Sequence, residues 1–219
     1  MHLTNTEKKL YQRKGDKDMG NEPYTERNSN KRATFAPLGA NNHTNHAYAE
    51  NGFYATSPTA VSRLLAAGYG PRNKEIWEPC CGDGSLSKEL EKHGYTVTST
   101  DLIDRGYGEG ERDFFLEEKL LAPCILTNPS YKIALPTIEK AIELGADEIW
   151  MFLKLTFLEG QKRREFFDKF PPYEVLVFSA REQCAINGDP EEFKKSSAAC
   201  YAWFHWIKNY DGRPQIGWI

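Results

Sequence analysis

The sequence predicts an α/β open sheet, mostly parallel with an antiparallel strand near the C-terminus and helices on both faces. Three observations carry this expectation. Segments of strand and helix character alternate from Phe53 onward, the pattern of consecutive βαβ units. Glu148 to Leu155 is almost continuously apolar, as in a strand covered on both sides. The last two apolar segments, Cys200 to Ile207 and Gln215 to Ile219, flank Asp211-Gly212 and read as a closing antiparallel pair.

Each element has a local reason. Thr56-Ser57-Pro58 ahead of Ala60, Val61, Leu64 and Leu65 predicts a capped helix with one apolar face, ended at Gly68. Glu75 to Glu78 is a short strand, and Cys81-Gly82-Asp83-Gly84 a tight turn. Leu86 and Leu90, set among Lys and Glu, make the next helix, stopped by Gly94. Tyr95 to Thr100 is a strand rich in β-branched residues that ends at Asp101, and a polar, glycine-rich loop runs from Asp104 to Arg112. Pro123 to Thr127 is a strand ending at Asn128-Pro129. Helical spacing covers Ile133 to Leu144 and Gln161 to Phe170, and Tyr173 to Phe178 is a further strand.

Residues 1–45 are rich in Asn, Lys, Glu, Gly and Thr with few large apolar side chains, so they are expected to form a disordered polar tail. Residues 46–219 then form the folded domain. Hydrophobic residues make up 40% of the chain and charged residues 27%, enough for a core of ordinary size. The net charge of −3 divides unevenly: residues 1–35 carry +3 and the remainder −6. A nucleic-acid enzyme usually shows a basic surface, so any phosphate contacts are expected from a local patch or from the tail. No run approaches the roughly 18 apolar residues of a membrane span, and the N-terminus lacks the apolar core of a secretory signal. The expectation is a soluble protein of the cytoplasm. Five cysteines without a Cys-x-x-Cys pair read as buried free thiols in a reducing compartment. His43 and His46 read as part of a solvated polar turn, and no metal is expected.

Ligands of open α/β sheets bind beyond the carboxyl ends of the strands, and three predicted strand ends carry telling residues. Gly82 and Gly84 allow a sharp turn and a close backbone approach to a ligand. A dinucleotide fingerprint would place a third glycine three positions after Gly84, where Ser87 stands, and the Gly-Lys-Ser/Thr of a phosphate-binding loop is missing. Asp101 is placed to accept hydrogen bonds from ribose hydroxyls. Together these favour a nucleoside-containing cofactor. Asn128-Pro129-Ser130-Tyr131 offers two acceptors, the Asn128 side-chain oxygen and the Pro129 carbonyl, beside an aromatic ring. That set suits a planar amine.

These motifs, with Phe157-Leu158-Glu159-Gly160-Gln161-Lys162-Arg163-Arg164 and Tyr201 to Trp206, resemble those of class I S-adenosylmethionine-dependent amino-methyltransferases. More narrowly, Phe53 to Ile219 resembles the small adenine-specific (N6) DNA methyltransferases of bacteriophages and prophages. The resemblance implies a Rossmann-like methyltransferase sheet, S-adenosylmethionine as cofactor and DNA adenine as target. It implies that Tyr54, Thr56 and Pro58 hold the cofactor's methionine end. Glu78, Gly82 and Gly84 would form the turn under methionine and ribose, Asp101 would bind the ribose, and Asp113 and Phe114 would contact the cofactor's adenine. Asn128, Pro129 and Tyr131 match the catalytic Asn-Pro-Pro-Tyr motif, from which Ser130 departs at the second proline.

Lys162, Arg163, Arg164, Lys194 and Lys195 read equally as phosphate contacts or as a solvated charged face. The loop from Arg105 to Arg112 and the segment from Arg181 to Ser197 are the candidates for target recognition, with little chain left for more. Rival readings are a same-fold methyltransferase acting on RNA adenine or protein glutamine, a non-catalytic cofactor-binding module, and a nicotinamide dehydrogenase.

Overall fold

The structure is a computed structural model that describes residues 54–186, 188–189, 191 and 199–219. All of them belong to one compact unit, His46–Ile219. The expected polar tail, His43, His46, Lys194 and Lys195 lie outside the described residues.

The elements follow in chain order: β1 (Tyr54–Thr56), α1 (Thr59–Ala66), β2 (Glu75–Glu78), α2 (Ser85–Lys92), β3 (Thr96–Ser99), β4 (Cys124–Thr127), α3 (Ala134–Glu143), β5 (Glu148–Lys154), α4 (Gln161–Lys169), β6 (Glu174–Val177), β7 (Cys184–Ile186), β8 (Tyr201–Ile207) and β9 (Gln215–Trp218). Single turns of 3₁₀ helix cover Phe114–Leu116 and Leu155–Leu158. The central sheet has the order β3-β2-β4-β5-β8-β6-β9. β2 pairs in parallel with β3 and β4, β4 with β5, and β6 with β9, while β8 runs antiparallel between β5 and β6.

Most strands alternate between two buried faces. Trp77, Ile125, Ile149, Met151 and Phe204 point to the face covered by α3 and α4, where Ile138 and Phe166 meet them. Ile76, Leu126, Trp150, Phe152 and Trp203 point to the face covered by α1 and α2, against Val61, Leu64, Leu86 and Leu90. Both sides of the central strands are dry, which explains the uninterrupted apolar run of β5. Buried indoles find partners across elements: Trp203 Nε1 donates to the Ala60 carbonyl at 3.0 Å and Trp206 Nε1 to the Phe170 carbonyl at 3.1 Å.

Two expectations are corrected. The last two strands are not a hairpin: β6 lies between β8 and β9, and β9 runs parallel to β6 at the sheet edge. Register with β6, from Glu174↔Gln215 to Val177↔Trp218, outcompetes the local return around Asp211-Gly212. The first helix has Pro58 at its N-cap and no side-chain cap, and Thr56 lies in β1, which pairs with β7 in a separate two-stranded antiparallel sheet. Ser57 Oγ, one residue ahead of the N-cap, accepts the Thr59 N–H at 3.3 Å.

The cysteines are free, and two of them, Cys81 and Cys124, are buried, whereas Cys200 is exposed just ahead of β8. A buried charged cluster spans the starts of β5 and β6 and the end of β8. His205 stacks on Trp150 at 3.8 Å and places Nδ1 2.9 Å from Glu174, with Nε2 3.4 Å from Glu148. Burial would raise the Glu148 carboxyl, but His205 and the Arg72 and Asn73 N–H groups outweigh it and hold it below the usual range. This cluster lies at the end of the sheet opposite the strand ends considered next. No described helix is long and apolar enough to cross a membrane.

Candidate active site

The chain passes from β2 outward to β3, then crosses back over β2 to β4. The connection from β2 goes one way, to β3, and the connection from β4 goes the other way, to β5, so a crevice opens between their carboxyl ends. A cleft of about 360 Å³ occupies that place, lined by the segments after β2, β3 and β4 together with β1 and the 3₁₀ turn at Phe114. Its size is that of a small-molecule pocket.

Glu78, the last residue of β2, is 1% exposed and accepts a hydrogen bond from Ser87 Oγ, which also lies 2.6 Å from Ser99 Oγ. Burial pushes its carboxyl up to about 8, against the lowering effect of the Ser87 hydrogen bonds, with Asp83 and Asp101 adding like-charge repulsion. Ser87 therefore has a task of its own where a dinucleotide fingerprint would place glycine. Gly82 adopts φ 56°, and its N–H donates to Asp101 Oδ2 at 2.8 Å. Gly84 adopts φ 78°, and a Cβ there would stand 2.2 Å from the Tyr107 ring, so its close approach is to Tyr107. Asp83 Oδ1 accepts both the N–H and the hydroxyl of Ser85, at 3.0 and 2.6 Å, and so takes the first N–H of α2. Cys80 and Cys81 also line the cleft, and burial raises both thiols, which keeps them protonated and unreactive.

Asp101 binds the β2 turn through Oδ2 and accepts the Ile103 N–H at 2.9 Å through Oδ1. Its backbone is clamped by Glu109 and Arg112, and Arg112 is held in turn by Glu109 at 2.7 Å and Glu117 at 2.6 Å. Asp113 caps the 3₁₀ turn by accepting the Phe115 N–H at 2.9 Å. Phe114 is buried edge-on against Trp77, with centroids 5.1 Å apart.

At the end of β4, Asn128 Nδ2 donates to Thr56 Oγ1 at 2.7 Å and approaches the Tyr54 carbonyl at 3.5 Å. With the donor end of the amide engaged, Oδ1 is its remaining polar end, and among the described residues nothing donates to it or to the Pro129 carbonyl. Ser130 lines the cleft, and its carbonyl accepts the Ile133 N–H at 3.0 Å. This bond stiffens the turn that the missing second proline would otherwise stiffen. Tyr131 is 50% exposed beside the cleft.

Of the residues singled out in the sequence, Tyr54, Thr56, Glu78, Gly82, Asp101, Asp113, Phe114 and Asn128 line one cleft. Pro58 is exposed at the start of α1 and Gly84 faces Tyr107, so neither lines it. Pro129 is buried behind its loop. Arg163 turns inward: its guanidinium donates to the Thr156 and Glu159 carbonyls and lies 5.8 Å from the Tyr131 ring centroid. Lys162 is exposed, and Arg164 pairs with Asp168 at 2.8 Å. Sequence reasoning missed Leu86, Leu102, Ile103, Phe115 and Ile133, whose side chains supply the apolar walls. Only their neighbours in sequence could have pointed to them. Among the described residues no group of His, Cys, Asp and Glu could hold a metal ion.

No protein-family model and no curated protein matches the sequence. Solved structures do. A proposed RNA methyltransferase from Pyrococcus horikoshii is similar at 17% identity and a TM-score of 0.52, over 71% of this chain and 86% of that one. The 23S rRNA methyltransferase ErmE is similar at 16% identity and a TM-score of 0.51, over 73% of this chain and 71% of that one. At this identity the likeness shows the fold: a Rossmann-like methyltransferase sheet, mostly parallel with one antiparallel strand.

Proposed function

We propose that the protein transfers the methyl group of S-adenosylmethionine to the exocyclic amine of adenine in DNA. The observation that carries the reading is the convergence of Glu78, Asp101 and Asn128 on one cleft, with the Asn128 amide tied back through its donor end. The residues present fit such a cofactor. Asp83, Asp101 and Asp113 make the lining rich in acceptors, while Arg112, one of its two arginines, is already paired with two carboxylates. Such a lining favours a cation with ribose hydroxyls over a pyrophosphate. At the N-terminus of α2, where a dinucleotide phosphate would sit, the first N–H is already taken by the Asp83 carboxylate. This argues against a nicotinamide dehydrogenase.

When bound, S-adenosylmethionine supplies a methyl group activated by a sulfonium. Tyr54 and Thr56 would hold its methionine end, Gly82 and Asp101 its ribose, and Asp113 with the apolar walls its base. Asn128 Oδ1 and the Pro129 carbonyl would accept the two amine hydrogens, draw the nitrogen towards pyramidal geometry and stabilise the positive charge that develops on it, the converse of an oxyanion hole. Holding the amine in line supplies most of the acceleration. No strong base is needed, since the product ammonium is acidic. A base in duplex DNA must leave the stack, and exposed Tyr131 would receive it by stacking.

The specific observation favouring a second reading, RNA adenine, is that both structures described above carry RNA in their names. Labelled methyl transfer to DNA, RNA and cell protein, followed by nucleoside mass spectrometry, tests both readings. N6-methyladenine in DNA is expected. Label in RNA alone selects the second reading, and label in protein alone overturns both.

A further inference from the structure

We infer that Thr56 is a positioning residue that decides which end of the Asn128 amide faces the substrate amine. The inference rests on the methyl-transfer reading and adds to it a residue that acts through Asn128. A primary amide is nearly symmetric in shape, since its oxygen and its NH₂ differ little in size, yet the two ends are opposite in function. With Oδ1 towards the substrate, Asn128 accepts a hydrogen from the amine. Turned by 180°, it would set donor against donor and withdraw the activation. Packing alone does not separate the two states, so the groups behind the amide must.

Three groups stand there: Thr56 Oγ1 at 2.7 Å from Nδ2, the Tyr54 carbonyl at 3.5 Å and Cys184 Sγ at 4.0 Å. The carbonyl can only accept, so it opposes the turned amide. The hydroxyl can accept or donate, and its orientation decides how firmly the amide is held. Thr56 is 3% exposed, and its backbone is fixed by pairing with Cys184 across β1 and β7 and by the Ser57 N–H to Gln183 carbonyl bond of 3.1 Å. The same residue lines the cleft, and among the described residues no acceptor takes its hydroxyl proton. A carboxylate in the cleft, such as the methionine end of the cofactor, would take that proton. The hydroxyl would then be committed as an acceptor for Nδ2. Cofactor binding would thereby lock Asn128 with Oδ1 facing the amine before the substrate arrives.

The test compares Thr56→Val, which keeps the shape and removes the hydroxyl, with Thr56→Ser, which keeps the hydroxyl. Thr56→Val is expected to lower turnover roughly tenfold or more (about 1.4 kcal/mol in the barrier), with a smaller change in the cofactor dissociation constant. Thr56→Ser is expected to recover most of that loss. In an Asn128→Ala background, Thr56→Val should cost little further, because its target is gone. A readout independent of activity is the water exchange of the Asn128 side-chain NH₂ protons in ¹⁵N-labelled apo protein: slow in wild type and Thr56→Ser, fast in Thr56→Val. The inference is overturned if exchange is unchanged in Thr56→Val, if the two losses add, or if Thr56→Ser is as poor as Thr56→Val. A wild-type protein that methylates nothing overturns the proposed function instead, and the exchange measurement still decides the role of Thr56.

Discussion

Asn128 and Glu78 show what single side chains contribute when they share one cleft with opposite demands. Asn128 is useful because one end of its amide is satisfied and the other is not. Replacing it with alanine removes a preorganised acceptor, and turnover on the true substrate is expected to fall roughly 10²-fold or more. Steady-state methyl transfer measures this, with cofactor affinity as the control. Glu78 is buried with a carboxyl pushed up to about 8 from an ordinary 4.5, so the folded state retains a proton that the unfolded chain releases. Stability of the apo protein should therefore fall as pH rises from about 4.5 to 8. Glu78→Gln cannot ionise and should lose that slope. Its melting point should exceed that of wild type by several degrees at pH 8, at roughly 2–4 °C per kcal/mol, and converge with it near pH 4.5. Parallel melting curves across this range would remove the argument.

Local elements place these residues, and turns matter more than helices or strands. Gly84 starts α2 in a left-handed conformation with the Tyr107 ring against its Cα. Gly84→Ala combines a left-handed penalty of about 1–2 kcal/mol with displacement of that ring, so a loss of about 2–4 kcal/mol in chemical denaturation is expected. Tyr107→Ala in the same chain should return the steric part and leave the backbone part. The strand ends themselves were legible in the sequence. Glycine pairs, an acid after a β-branched run and an Asn-Pro turn each have a local cause, and β2, β3 and β4 end four, two and one residues ahead of Gly82, Asp101 and Asn128. β1, β7 and the site of β9 were not legible. Three residues such as Tyr54–Thr56 carry no periodicity, and they become a strand only because β7, about 130 positions later, pairs with them.

For the molecule as a whole, the cleft should respond to its ligand as a unit. S-adenosylmethionine at about 100 times its dissociation constant adds roughly 2.7 kcal/mol, a melting shift of about 5–10 °C, whereas NAD should give none. Charge acts at the same scale. Residues 1–35 carry +3 against −6 for the remainder, so removing residues 1–45 is expected to weaken DNA affinity and flatten its dependence on salt. Binding titrations at several salt concentrations measure both. Unchanged affinity and slope would leave the attraction to DNA to the domain itself.

The sequence by itself determined the fold class and which polar residues stand at the three strand ends, since apolar periodicity and turn residues are local properties. Only the tertiary structure decided that Thr56 serves Asn128 rather than a helix cap, that Ser87 bonds Glu78, that Arg163 folds back under Tyr131, and that β6 separates the last two strands. The Ser87–Glu78 bond is local, nine residues across the turn from β2 into α2, and depends on how that turn is folded. The other contacts join residues whose separation in the chain is set by crossovers of the sheet, and a partner chosen in that way leaves no trace in local composition or spacing.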